Sequence, residues 1–377
     1  VLYRTHAVVH LQNIRKNIEA IRARVGAGRK ILIAVKANGY GHGSVAVSRM
    51  AEKIGVDFLG VATIPEGIEL REAQCALPIL KFSPAFAGEE MRAAVTHNIT
   101  LAVCDPENVR ALQTIAQESA RTLNVHIKVD TGMGRIGVSP DEAPALAQLI
   151  EQSCPNLRLE GIFTHLPVSD EARSVEFTQM QLSLFRATVA AMQAGLNNPA
   201  PIIHAANSGG ILGHESSWFD MVRPGIMIYG FYPDTTTPQT VPLLPGLSFR
   251  TAISFIKRVK RGTPIGYGCS WVAPEDTFIA TIPAGYADGF NRLFSNCGRV
   301  LINGASYPIV GRVCMDQSMV NLGSSTTVQV GDAVTLIGRE GSQEITAYEW
   351  ATRLGTITYE VTCQINARVQ RHFDPFE

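Results

Sequence analysis

Between about residue 11 and residue 230 the sequence alternates short apolar runs with segments of helical spacing, and this alternation restricts the fold more than any other feature. The eight runs are KILIAVK, DFLGVAT, PILKF, ITLAV, NVHIKVD, LEGIFTH, PIIHAAN and MVRPGIMIYG, the last of which merges strand and turn. The pieces between them read as helices, for example Leu11 to Arg24 and the long stretch from Glu171 to Ala194. Pro65, Asp105 and Pro140 stand where first helical turns should begin. Strands that are apolar on both faces need cover on both, which is the signature of repeated βα units around a parallel sheet. Eight such units are the count of a closed (β/α)8 barrel, a TIM barrel; an open doubly wound sheet is the other arrangement the alternation allows.

After Pro233 the texture changes. DTTTPQTVPLLPG is rich in Thr and Pro and reads as a linker. Beyond it LSFRTAISFIKRV, DTFIATIPAGY, RVLINGASYPIVGRVCM and TVQVGDAVTLIG read as short strands with turn signals. ITAYEWATRLG has helical spacing closed by Gly355, and a final apolar run passes through YEVTCQI. The expected fold is therefore α/β, an N-terminal barrel over residues 11–235 followed by a mostly β C-terminal domain over residues 240–377. No internal repeat or low-complexity tract interrupts it.

Lys plus Arg and Asp plus Glu both number 33, so no net field draws the chain to nucleic acid or an anionic membrane, and a small ligand is expected. No apolar run reaches the roughly 20 residues of a membrane span, and no secretory pattern opens the chain. Seven scattered cysteines without C-x-x-C spacing argue against a disulfide framework and a zinc site, so no metal is expected and a reducing, cytoplasmic location is. The start at Val1 rather than methionine leaves room for an upstream leader or domain.

The unusual polar residues gather at strand ends. Lys36 closes the first apolar strand before a glycine-punctuated loop holding Tyr40 and His42. Lys128, Asp130 and the loop TGMGRIG with Arg135 follow the fifth strand, His165 the sixth, and His204, Asn207 and Ser208 the seventh; Arg223 sits in the eighth. In a barrel these ends share one mouth, and that mouth carries chemistry. A strand-end lysine can simply let its head reach water, yet a desolvated lysine is also the group that condenses with carbonyls. NSGGILG and VRPGI, after strands seven and eight, offer the Ser208 hydroxyl and the backbone N–H groups of Gly225 and Ile226 to an anion. An amine for an aldehyde and N–H groups for a phosphate match the two ends of pyridoxal 5'-phosphate.

AVKANGYGHG, VDTGMGRIGV, GIFTHLPVSDE, HAANSGG, MVRPGIMIYG, GYGCSW, PAGYADGF, VGRVCMDQSMV and TITYEV together resemble the alanine racemase family, in order and across nearly the whole chain. The resemblance implies a pyridoxal-phosphate barrel and a β domain to which residues 1–10 add a strand. It also implies a head-to-tail homodimer in which the β domain of one chain completes the other's active site, and a small amino acid as substrate. The implied activity is interconversion of L- and D-alanine, supplying D-alanine for cell-wall peptidoglycan.

By the same resemblance Lys36 holds the cofactor and is one catalytic base, while Tyr267 of the partner chain is the other, facing the opposite side of the substrate Cα. Racemisation needs two such bases, one to remove the α-proton and one to return it. A phenol ordinarily titrates near pH 10, so its use as a base asks for positive surroundings, expected from His165 and Arg223. Arg223 at the ring nitrogen cannot hand over its proton, which leaves the ring a weaker electron sink and limits side reactions. Tyr359, Ser208, Gly225 and Ile226 bind the phosphate, with Tyr40 in support and Asn207 beside them. Arg135 holds the substrate carboxylate with the N–H of the partner's Met315, and Lys128 matches a position carbamylated in many members. Asp170, Tyr286, Arg292 and Arg312 match the entrance corridor, and Asp316 the adjacent MD motif.

Pro167 and Val168 replace the small residues common at their positions, Trp271 follows the catalytic loop, and ARVQRHF departs from the usual tail. Serine or a basic amino acid is therefore an alternative substrate. A decarboxylase of basic amino acids shares the architecture, and Cys314 with Asp316 answers its cysteine and aspartate. A non-catalytic cofactor-binding barrel would leave the roughly 130 residues past the linker unexplained.

Overall fold

In the computed structural model, which describes residues 3–86, 88–197 and 201–375, every one of the eight runs contains a strand. In order these are Lys30–Ala34, Phe58–Val61, Ile79–Lys81, Thr100–Val103, Leu123–Lys128, Leu157–Phe163, Ile202–His204 and Met221–Val222. Each pairs in parallel with the next from the first to the seventh, and the eighth returns to the first through Lys30↔Met221 and Ile31↔Val222. That return excludes an open sheet, in which the first and last strands would be separate from one another. The seam between seventh and eighth has no ladder; Asp220 N donates to Ile203 O (3.0 Å), its carboxylate accepts from Ile203 N (2.8 Å), and Arg223 N donates to Ala206 O (2.8 Å). The sheet is thus a near-closed (β/α)8 barrel.

Helix starts follow local chemistry. Thr63 caps Ile64–Glu72 in a reciprocal capping box with Glu66, with Pro65 in the first turn, and Asp105 caps Pro106–Glu118. Pro140 does not begin a helix: it lies in a turn, and the helix is Ala143–Ser153 with Pro144 in its first turn. The stretch from Glu171 also divides, into a 3-10 turn at Ala172–Ser174 and the helix Val175–Gln193. In MVRPGIMIYG only Met221–Val222 is strand, because Pro224 has no N–H for a ladder, and Ile226–Tyr229 coils as a 3-10 turn.

The chain forms two compact units. The barrel unit runs from Asn13 to Leu244 except for Tyr40–Gly43, which group with the second unit. The stretch read as a linker is pinned to the barrel at its end, where Leu244 N donates to Asn17 Oδ1 and Asn17 Nδ2 to Leu244 O, both at 2.8 Å.

The second unit contains a sheet in which Phe255–Val259, Thr277–Ile282, Ser318–Gly323, Ala305–Val310, Arg299–Ile302, Ala333–Glu340, Leu247–Ala252, His6–Val9 and Gln370–Phe373 are neighbours in that order. His6–Val9 pairs antiparallel with Leu247–Ala252 and parallel with Gln370–Phe373, so the N-terminal segment adds a strand here. ITAYEWATRLG forms the helix Ala347–Leu354, ended by Gly355 in the left-handed region. The apolar run through YEVTCQI is a helix too, Thr358–Cys363. Its buried residues Thr358, Val361 and Thr362 fall at i, i+3 and i+4, which is a helical face. No helix among the described residues is long and apolar enough to cross a membrane.

Candidate active site

The first strand ends at Ala34, and the backbone then leaves the sheet abruptly. After half-buried Lys36, Ala37, Asn38, Gly39 and Tyr40 all adopt φ between 52° and 61°, a left-handed turn that costs on the order of 1–2 kcal/mol for each residue with a Cβ. Neighbours hold it: Gly39 N donates to Val35 O (2.8 Å), Ala37 N to Glu66 Oε1 (2.8 Å) and Ser44 N to Asn38 Oδ1 (2.9 Å). Strain concentrated beside one lysine and over-determined by its surroundings is typical of a functional position. Glu66 does this while capping its own helix, a role its place in the sequence does not reveal.

Lys128, buried at the end of the fifth strand, donates to Phe82 O (3.3 Å) and lies over the Phe163 ring. Burial, then Arg135 and Arg223, pull its amine down to about 8. Asp130 shapes the next loop by accepting from Gly132 N and Gly134 N, leaving Arg135 exposed. His165 follows the sixth strand, and its environment overturns the expectation of a positive charge there. Burial first, then Arg223, Lys128, Arg135 and Lys36, push its imidazole down to about 3, so it is neutral at ordinary pH. The positive field of this rim belongs to four cations.

Arg223 is only 5 % exposed. It donates through NH2 to Thr164 O (2.8 Å) and Ala205 O (2.9 Å) and through NH1 to His204 Nδ1 (3.1 Å). No carboxylate contacts it among the described residues, and burial draws its guanidinium down to about 9. Three of its five N–H donors are spent on protein.

Ser208 Oγ accepts the N–H of Gly225 (3.0 Å), joining the loops after strands seven and eight where an anion was expected. The glycines beside it have another explanation. Gly210 N is spent on the Asn207 cap (3.0 Å), and a Cβ on Gly209 would lie 2.7 Å from Asp170 N. Asn207 also accepts from Ser169 Oγ (2.7 Å) and donates to Leu166 O (2.8 Å), so it binds the loop of half-buried Asp170 to its own. Of the expected phosphate residues, Ser208, Gly225 and Ile226 are brought together, with the Gly225 N–H given to Ser208 Oγ, while Asn207 works within the protein.

The remaining expected residues lie in the second unit. Tyr40 is buried with its ring 5.9 Å from that of Tyr359, and burial pushes its phenol well up. Tyr267, 72 % exposed, stands between Gly266 and Gly268, both in the left-handed region, with the Arg312 guanidinium against Gly268. Tyr286 N and Ala287 N donate to Cys314 O and Met315 O (both 3.0 Å), which bolts together the loops carrying Tyr286 and Met315. Tyr286 and Arg292 line one recess with Asn291 and Gln364.

Arg368, in the atypical tail, makes a fork to buried Asp288 (2.7 and 3.0 Å) and also reaches Asp316 (2.8 Å), bracing both loops. Sequence reasoning missed it, although an arginine at the point of departure from a familiar tail was a signal. It also missed Lys81, a second buried strand-end lysine, which donates to Ser83 O, Ser83 Oγ and Pro84 O and so shapes the loop after the third strand.

The barrel mouth therefore offers two lysines, two arginines, a neutral histidine and a hydroxyl tied to a backbone amide. That set suits a ligand with several negative groups and a carbonyl. No cluster of His, Cys, Asp or Glu among the described residues has the makings of a metal site.

Family models for "Alanine racemase, N-terminal domain" and "Alanine racemase, C-terminal domain" match residues 9–233 and 246–373. An alanine racemase of Cutibacterium acnes is 46 % identical over 98 % of this chain and 97 % of its own. Among solved structures, an alanine racemase of Clostridium difficile has a TM-score of 0.93 at 36 % identity, over 99 % of this chain and 96 % of that one. One from Bacillus anthracis with bound L-Ala-P has a TM-score of 0.92 at 34 % identity, over 99 % and 95 %.

Proposed function

The chain belongs to the alanine racemase family and is an amino-acid isomerase, and from that premise we propose that it interconverts L- and D-alanine using pyridoxal 5'-phosphate, with Lys36 and Tyr267 of a second copy as opposing bases. The observation that carries this reading is the barrel rim, where four cations surround a neutral His165. The donor set fits the cofactor. Lys36 offers an amine to the aldehyde; Ser208 offers its hydroxyl and Ile226 its N–H to the phosphate, for which the Gly225 N–H exchanges its bond to Ser208 Oγ, with Tyr40 and Tyr359 in support; and Arg223 offers a buried donor to the ring nitrogen. Bound there, the cofactor supplies the electron withdrawal that acidifies the substrate Cα–H.

The protein's own part is orientation and proton handling. Lys36 Nζ takes or returns the α-proton on one face and the phenol oxygen of Tyr267 does so on the other, which inverts the centre. Arg135 holds the substrate carboxylate, helped by the Met315 N–H of the second copy. With His165 neutral, the positive surroundings of the phenol come from Arg223 and Arg135. Arg223 donates a hydrogen bond without giving up its proton, since a guanidinium does not act as an acid at ordinary pH. Lys128, already partly neutral near pH 8, adds CO2 with loss of a proton, and the resulting carbamate pairs with Arg135. Exposure of Tyr267 and Met315 supports completion of each site by a homodimer partner. Asp170, Tyr286, Arg292 and Arg312 form the way in, and the D-alanine produced supplies peptidoglycan.

A decarboxylase is disfavoured because burial raises the Cys314 thiol and Asp316 is held by Arg368. The test is racemisation and α-deuterium exchange by the cofactor-loaded protein on alanine, serine, lysine and arginine. Alanine leads if the reading is right; a faster serine or basic amino acid replaces the substrate, and CO2 release in place of inversion overturns the reaction. Tyr267→Phe impairs proton removal from one enantiomer more than from the other, and full activity in both directions removes Tyr267 from the mechanism.

A further inference from the structure

Behind Arg223 a line of polar side chains runs away from the barrel mouth. Arg223 NH1 meets His204 Nδ1 at 3.1 Å, His204 Nε2 meets His126 Nδ1 at 2.9 Å, and His126 Nε2 meets Glu160 Oε2 at 3.1 Å. Both imidazoles are 0 % exposed, whereas the Glu160 side chain retains 18 % exposure and accepts a further bond from Asn124 Nδ2 (2.6 Å). We propose that Glu160 is the remote counter-charge of Arg223, coupled to it through His204 and His126 in single fixed tautomers, and that all three are positioning residues for the guanidinium.

The direction of every bond follows from the two ends. A guanidinium only donates and a carboxylate only accepts. Arg223 therefore gives a hydrogen to His204 Nδ1, which leaves His204 protonated at Nε2. That N–H points to His126 Nδ1, so His126 carries its hydrogen at Nε2 and gives it to Glu160. Burial holds both rings below their ordinary pKa, so each has one donor and one acceptor, and no second arrangement satisfies the line. Each bond aligns the next dipole toward the guanidinium, so the carboxylate polarises a cation it does not touch.

Local structure is built around this line. The strands holding His126 and Glu160 shift register between Val125 and His126, pairing Val125 with Leu159 and His126 with Gly161, so Glu160 is the extra residue of a bulge. Gly161 is required by the ring: a Cβ there would lie 2.4 Å from His126 Nδ1. Phe163 stacks on His204 with centroids 4.9 Å apart and planes 9° apart, fixing the ring that Arg223 meets. Arg223 has no carboxylate of its own among the described residues, and this line answers how its charge is tolerated at 5 % exposure.

The consequence for catalysis rests on the proposal that Arg223 faces the cofactor ring. The test uses full-length, cofactor-loaded protein with 15N-labelled histidine, read by long-range 1H–15N correlation and by the visible absorption of the bound cofactor. Wild type should show His126 and His204 both protonated at Nε2 only; an Nδ1-protonated tautomer of either overturns the proposal without any variant. Glu160→Ala should move the ring signals of His204, which does not touch Glu160, shift the cofactor band and lower kcat on the order of tenfold with little change in KM. Glu160→Gln keeps an acceptor oxygen and should restore the tautomers. Unchanged His204 signals in Glu160→Ala overturn the coupling. Moved His204 signals with an unmoved cofactor band support the coupling and instead overturn the placement of Arg223 against the ring.

Discussion

Replacing Arg368 with alanine should weaken the second unit by about 2 kcal/mol and raise KM more than it lowers kcat. The change removes the two bonds to Asp288, at 2.7 and 3.0 Å, and the one to Asp316 at 2.8 Å. Asp288 is 0 % exposed, and a buried charge that loses its partner typically costs about 3–5 kcal/mol. Two circumstances reduce that figure. Asp288 keeps one donor on each oxygen, the Tyr3 hydroxyl at 2.8 Å and Gly285 N at 2.9 Å. The Arg368 side chain is also 40 % exposed, so water screens the pair and hydrates what remains. Arg368→Lys keeps the charge and loses the fork, at about 1 kcal/mol, and Asp316→Asn removes only an exposed arm, at roughly 0.5 kcal/mol. Urea unfolding midpoints followed by tryptophan fluorescence give the stability order, and steady-state kinetics report the loops that carry Tyr286 and Met315. Asp316→Asn costing as much as Arg368→Ala, or Arg368→Ala costing under about 0.5 kcal/mol with KM unchanged, refutes the account.

His165 should show no titration between pH 5 and pH 8 by NMR in the cofactor-free protein, since its value is about 3; a midpoint above pH 6 contradicts the cationic rim. The same depression makes stability fall as pH drops below the unfolded value near 6.5, because the unfolded chain then binds protons that native His165, His126 and His204 do not; urea midpoints from pH 8 to pH 5 check the sign. With 13C-bicarbonate, a carbamate resonance should grow as pH rises toward the Lys128 value of about 8 and vanish in Lys128→Ala; no signal in wild type at pH 8 removes the carbamate. Gly41→Ala would set a Cβ 2.2 Å from Thr362 O at a φ of +84° and should cost more than about 3 kcal/mol by thermal unfolding; a loss under about 1 kcal/mol shows that the Tyr40–Gly43 loop yields easily.

What the sequence determines by itself is what depends on short-range pattern. Apolar strands alternating with helical spacing force cover on both sheet faces, and eight repeats imply a barrel. Polar residues that close those strands must then share one mouth, which is why Lys36, Lys128, His165 and Arg223 could be placed before any coordinates. The pattern fails where a residue's state depends on distant partners. YEVTCQI became a helix because its buried face lies at i, i+3 and i+4, a matter of which side meets the core. His165 carries no charge because burial and four cations act on it together. Glu160 meets His126 across 34 residues only because a bulge re-aims it, and Arg368 reaches Asp288 across 80. Tertiary structure decides such things because charge, tautomer and register are set by summed interactions through space, whereas strand and helix are set largely by neighbours along the chain.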